Sequence, residues 1–193
     1  MPGQVQLSII GFESKRQFED WLEKQTPACA GLWLKIAKKG TGLASVTYDE
    51  ALDAALCAGW IDGQKSSFDD PYWLQRFTPR KDRSKWSQAN RKRAIELIKK
   101  GQMRPAGLAE VEKAKADGRW DAAYEGQATI TVPADLQTAL DQDPEAAAFF
   151  ATLDSRNRYA ILYRIGDTKK PVTRLARIEK YVSMCRERKR IYP

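Results

Sequence analysis

A chain of 193 residues that is 42% hydrophobic and carries six Trp has the apolar mass for a packed core, which excludes a disordered chain. It contains no histidine, and this excludes Ser-His-Asp and Cys-His nucleophilic machinery together with every histidine-based metal site. No run of about 18 apolar residues occurs, so no membrane span is expected.

The N-terminal MPGQVQLSIIGFESKRQFEDW lacks a basic segment followed by an apolar one, so no secretory signal is expected. Cys29, Cys57 and Cys185 show no CxxC spacing and read as buried thiols of a reducing cytoplasm. GxGxxG, Walker A and EF-hand patterns are missing, so no cofactor and no metal are called for.

In chain order, residues 14–24 place Phe18, Trp21 and Leu22 at helical spacing behind a capping Ser14. GLWLKIAKKGTG reads as a strand, with Leu32, Leu34 and Ile36 on one face. Thr47 and Glu50 form a capping box for a helix from Tyr48 to Ala58, closed by Gly59. Trp60–Ser67 and Tyr72–Thr78 read as a hairpin around FDDP. Ser84 is the expected N-cap of the next helix, whose inward stripe is Ala94, Leu97 and Ile98, and Pro105 opens another.

Beyond about residue 130 the pattern is helical. Pro133 and Pro144 sit in first turns, Asp143 caps, and Leu175, Ile178, Val182 and Cys185 make a stripe on the last helix. The expectation is an α+β fold: a small antiparallel sheet of about three strands with flanking helices, then a C-terminal helical segment. Residues 1–130 form the core domain, and residues 131–193 the helical segment packed on it.

Three stretches are distinctive: SVTYDEALDAALCAGWIDG, FTPRKDRSKWSQANRKRAIELIKKGQMRPAGLAEVEKAKADGRW, and the tail VPADLQTALDQDPEAAAFFATLDSRNRYAILYRIGDTKKPVTRLARIEK. Together they resemble the YdeI/OmpD-associated, bacteriocin-protection-like family over residues 12–185. The resemblance implies a link to bacteriocin protection and to an outer-membrane porin. It supplies no catalytic residue to carry over.

The formal charge of +8 is unevenly spread. Residues 76–104 hold eleven Lys/Arg against two Asp/Glu, residues 156–190 hold twelve against three, and the remainder is net acidic. Such asymmetry suggests an anionic partner, and solvated basic faces paired with the acidic remainder are the alternative. In FTPRKDRSKWSQAN, the loop residues Arg80, Lys81 and Arg83 lead into a helix start at Ser84, where unpaired N–H groups favour an anion. Ser87 and Asn90 fall on the inward stripe of that helix, with Trp86 at its edge. In GWIDGQ, Trp60, Asp62 and Gln64 share one face of a strand, unless Asp62-Gly63 marks a bulge.

The expected ligand-binding set is therefore Trp60, Asp62, Arg80, Lys81, Arg83, Ser84, Trp86, Ser87 and Asn90, with Arg174 and Arg177 as a secondary basic patch. The leading reading is a cytoplasmic, non-catalytic protein that binds a nucleotide, a phosphorylated metabolite or nucleic acid at the hairpin–helix junction 77–90. One alternative is an enzyme with a polar pocket of Asp62, Ser87 and Asn90. Another is a stress- or bacteriocin-resistance-linked module that meets a protein partner through its C-terminal helices.

Overall fold

A computed structural model describes residues 6–26 and 28–193. Residues 1–5, part of the N-terminus inspected for an export signal, lie outside the described residues. The elements are β1 (Ile9–Gly11), α1 (Lys15–Glu23), β2 (Leu32–Ala37), α2 (Tyr48–Cys57), β3 (Trp60–Ser67), β4 (Tyr72–Pro79), α3 (Gln88–Lys99), α4 (Pro105–Ala116), α5 (Ala134–Asp141), α6 (Pro144–Ala151), α7 (Ser155–Gly166) and α8 (Pro171–Arg186). They form two compact units: residues up to 86 with 90–122, and residues 87–89 with 123–193.

The first unit is α+β. Its sheet runs β1-β2-β4-β3, with β2–β4 and β3–β4 antiparallel. The structure adds β1, parallel to β2, so the sheet is mixed and has four strands. Leu32, Leu34 and Ile36 are buried on one face of β2, cross-strand from Phe77, Gln75 and Trp73. Phe18 of α1 meets Phe77 at 5.7 Å between ring centroids, and Trp21 meets Trp60 edge-on at 5.6 Å. Burial of each such ring contributes about 1.5–3 kcal/mol.

The caps form as the local sequence requires. Ser14 Oγ accepts from Gln17 N, and Thr47 with Glu50 completes the capping box. Gly59 closes α2 at a φ of +79°. Gly107 lets α4 approach α2, because a Cβ there would lie 2.4 Å from the carbonyl oxygen of Cys57.

In this unit the bulge alternative at Asp62-Gly63 is the one that forms, and one helix-face expectation is corrected. β3 bulges between Asp62 and Lys65, which pair with Phe77 and Gln75. Lys65 thus takes the place on the Asp62 face that alternation gave to Gln64. The buried Gln75 amide donates to the Gly63 carbonyl at 2.8 Å and satisfies the kink. Ile98, placed on the inward stripe, is exposed, while Ala94 and Leu97 are buried.

The second unit is helical. Asp143 caps α6 through Ala146 N, and Asp154 caps α7 through Asn157 N. Leu136, Leu140, Phe150, Ile161, Leu162, Ile165, Ile178, Tyr181, Val182 and Cys185 form its core. Leu175, assigned to that stripe, is 59% exposed, whereas Tyr181 is buried beside Ile178, Val182 and Cys185. The unforeseen Asn157 is buried and locks the C-terminal residues. Its Oδ1 accepts from Ile191 N and Tyr192 N, at 3.0 and 2.9 Å.

Burial raises the thiol pKa of Cys57, and it pushes that of Cys185 up to about 11. Among the described residues, no helix is long and apolar enough to cross a membrane.

Candidate functional site

The junction after β4 is a tight turn. Ser84 N donates to the Lys81 carbonyl at 2.8 Å, and Ser84 Oγ accepts from Lys81 N at 2.9 Å. Ser84 therefore closes a loop and is not the helix N-cap. α3 begins only at Gln88, because the chain between is pulled into other contacts. Trp86 is 2% exposed and stands edge-on to Trp120 at 4.8 Å. Ser87 forms an isolated bridge with Tyr124. Trp86 is thus a core residue and lines no opening.

Arg80 is buried as well. Its guanidinium lies over the Trp86 ring at 3.5 Å, Nη1 donates to the Lys85 carbonyl, and its backbone N donates to the Gly59 carbonyl. The tip residues Lys81 and Arg83 are exposed.

Asp62 does not pair with an Arg of this loop. It accepts from the Tyr48 hydroxyl through Oδ2 at 2.9 Å and from Asn90 Nδ2 through Oδ1 at 3.2 Å. This carboxylate joins α2, β3 and α3. Burial, followed by the Asp62 charge, raises the Tyr48 phenol well above its ordinary value. Arg93 adds a second tie between α3 and α2 through Asp53 and Asp49. Tyr48 carried no sequence signal, because its partner lies in a strand it precedes.

A cleft of about 680 Å³ opens beside the junction. Its apolar wall includes Leu22, Trp60, Pro79, Pro105 and Ala109. Arg80, Arg104 and Lys113 bring positive charge, and Glu23, Asp82 and Glu110 bring negative charge. Arg104 pairs with Glu23 at 3.0 Å, and Lys113 pairs with Glu110 at 2.8 Å. Of the nine expected residues, Trp60 and Arg80 line this cleft. Asp62, Ser87 and Asn90 do not, so the three do not build a shared pocket here. Pro105 at the start of α4 was the one sequence signal for the opposite wall.

In the helical unit, Arg174 and Arg177 are engaged internally and form no free basic patch. Arg174 grips Asp135 with Nε at 2.6 Å and Nη2 at 2.9 Å, and donates from Nη1 to the Ile165 carbonyl. Arg177 donates to the Arg164 carbonyl. Among the described residues, no cluster of acids and cysteines is arranged to hold a metal ion.

The class defined by this arrangement is a two-unit protein: an α+β domain with a lateral cleft, and a helical unit. The chain belongs to the family described as "Domain of unknown function (DUF8412)", whose model matches residues 10–110, and residues 129–188 match the model described as "Bacteriocin-protection, YdeI or OmpD-Associated". The resemblance read over residues 12–185 thus rests on the segment from α5 to α8. No curated protein and no solved structure gives a significant match.

Proposed function

We propose that the cleft beside the hairpin–helix junction binds a small amphipathic anion, such as a nucleotide or a phosphorylated metabolite, without catalysing its conversion. The observation that carries this reading is Arg80, a residue 8% exposed whose guanidinium is held 3.5 Å over the Trp86 ring in the wall of a cleft of about 680 Å³. A planar, fixed guanidinium suits a phosphate or carboxylate. The volume falls in the range of small-molecule sites, about 300–1,000 Å³. Arg104 and Lys113 are neutralised by Glu23 and Glu110. The lining thus offers Arg80 beside an apolar wall of Leu22, Trp60, Pro79 and Pro105, which suits a ligand with an anionic group and an apolar body.

A thermal-shift screen of nucleotides and sugar phosphates tests this. A ligand at about 100 times its Kd adds about 2.7 kcal/mol to stability, so at least one compound should raise Tm by several degrees. Ala109 is exposed on the cleft wall, and Ala109→Trp should fill the space and abolish the shift. A panel without any shift, or a shift that survives Ala109→Trp, contradicts the reading.

A second reading rests on the C-terminal match. The words bacteriocin protection suggest a protein-interaction role for the helical unit, and Val172 and Leu175 of α8 are apolar and exposed. On that reading Val172→Asp/Leu175→Asp removes bacteriocin resistance from a complemented deletion strain while leaving thermal stability unchanged.

A further inference from the structure

A second depression, of about 690 Å³, lies at the opposite end of the sheet from the β4–α3 junction and is lined by Lys38, Lys39, Lys65, Ser66, Ser67 and Trp73. Its chemistry differs from that of the cleft, because its lining holds three ammonium groups, two hydroxyls and an indole but no carboxylate. By returning Lys65 to the face of Trp73, the bulge in β3 sets Lys65 Nζ 4.4 Å above the indole. Tyr48 packs against the same indole at 6.1 Å between ring centroids, tilted by 45°.

Lys38 is aimed by a bond from Nζ to the Asp69 carbonyl at 2.9 Å, while Lys39 is exposed. The nearby Asp69 carboxylate is engaged by the Tyr72 backbone N–H at 2.8 Å. Phe68, next to Ser67 in the hairpin turn, is 47% exposed.

An aromatic ring beside several cations meets the two requirements of a single-stranded nucleic acid: a face for an unstacked base, and positive charge for successive phosphates. A duplex keeps its bases stacked and could use only the charge. We infer that this end of the sheet binds single-stranded DNA or RNA: the exposed Lys65 moves from above the indole onto a phosphate, a base takes its place on Trp73, and Lys38 and Lys39 meet neighbouring phosphates. This site is independent of the cleft.

The test is fluorescence anisotropy of a labelled single-stranded 12-mer over a series of salt concentrations. A duplex of the same length and an acidic peptide of matched charge serve as competitors. Three phosphate contacts give a slope of log K against log salt of about −2 for a single strand. Lys39→Ala/Lys65→Ala changes only exposed side chains and should bring the slope to about −0.7. Trp73→Ala should weaken binding roughly tenfold or more. Ala109→Trp, which blocks the cleft, should bind the strand as the unmodified protein does. Binding indifferent to salt, unchanged in the lysine variant, or displaced as well by the duplex or the peptide overturns the inference.

Discussion

Arg80 and Trp86 sit side by side in a run that reads as a charged loop, yet both are buried. The 3.5 Å stack explains why, because a guanidinium is weakly hydrated and lies flat on an indole at little cost. The indole Nε1 of Trp86 has no hydrogen-bond partner. Trp86→Phe should therefore lose contact area only, whereas Trp86→Ala should cost about 3–5 kcal/mol. Urea denaturation of the two variants checks the difference.

Asp62 makes a titration prediction through Tyr48. The folded-state pKa of the phenol is raised above its unfolded value of about 10. The folded protein thus holds this proton more tightly than the unfolded chain. That stability is fully present below pH of about 10 and is lost as pH rises further. Tyr48→Phe should lower stability at pH 7 and flatten the alkaline decline, as read by denaturation at a series of pH values. Asn157 is a purely structural case. Asn157→Ala leaves the Ile191 and Tyr192 N–H groups without their acceptor and should cost about 3 kcal/mol.

At the scale of elements, the legible signals were those whose partners lie within a turn of the chain. Ser14, the Thr47–Glu50 box, Asp143, Pro105 and Gly59 each act over three or four residues, and each falls where the local pattern placed it. Ser84 has the right residue type for a cap, but Trp86 is drawn into the core first, and the helix starts after it. β1 has three residues and a parallel partner more than twenty positions away, too little pattern to read. The bulge that Asp62-Gly63 offered as an alternative to strict alternation forms and redirects Lys65. The contact of α4 with α2 depends on Gly107. Gly107→Ala would press its Cβ on the carbonyls of Cys57 and Leu56 and should lower Tm markedly. A change of similar size at the open Gly118 should have a smaller effect, confined to its φ of +78°.

For the whole molecule, the sequence count found two basic segments, and the structure uses much of that charge internally. Arg93, Arg104, Arg174 and Arg186 each hold a carboxylate. The lysine patch beside Trp73 lies outside both segments, in a stretch whose total is acidic. Net charge along the chain is blind to it, because folding joins Lys38, Lys39 and Lys65 in one lining that holds no carboxylate.

The internal pairs predict acid sensitivity of the helical unit. Hydrogen bonds from Arg174 and Arg186 hold Asp135 and Asp143 below the ordinary carboxylate range. Their contribution is present above pH of about 4 and is lost as pH falls through the depressed values. Asp135→Asn should reduce the drop in helix stability between pH of about 5 and 2, as followed by circular dichroism.

The central claim is that an anionic ligand binds in the cleft that Arg80 lines. The most direct measurement is a nitrogen-15 NMR titration of the arginine Nε–H groups and backbone amides with a nucleoside monophosphate. The account predicts saturable shifts at Arg80 Nε and at the amides of Trp60 and Ala106, absent in Ala109→Trp. Saturation without any change at Arg80, or with shifts that persist once Ala109→Trp fills the cleft, would contradict it.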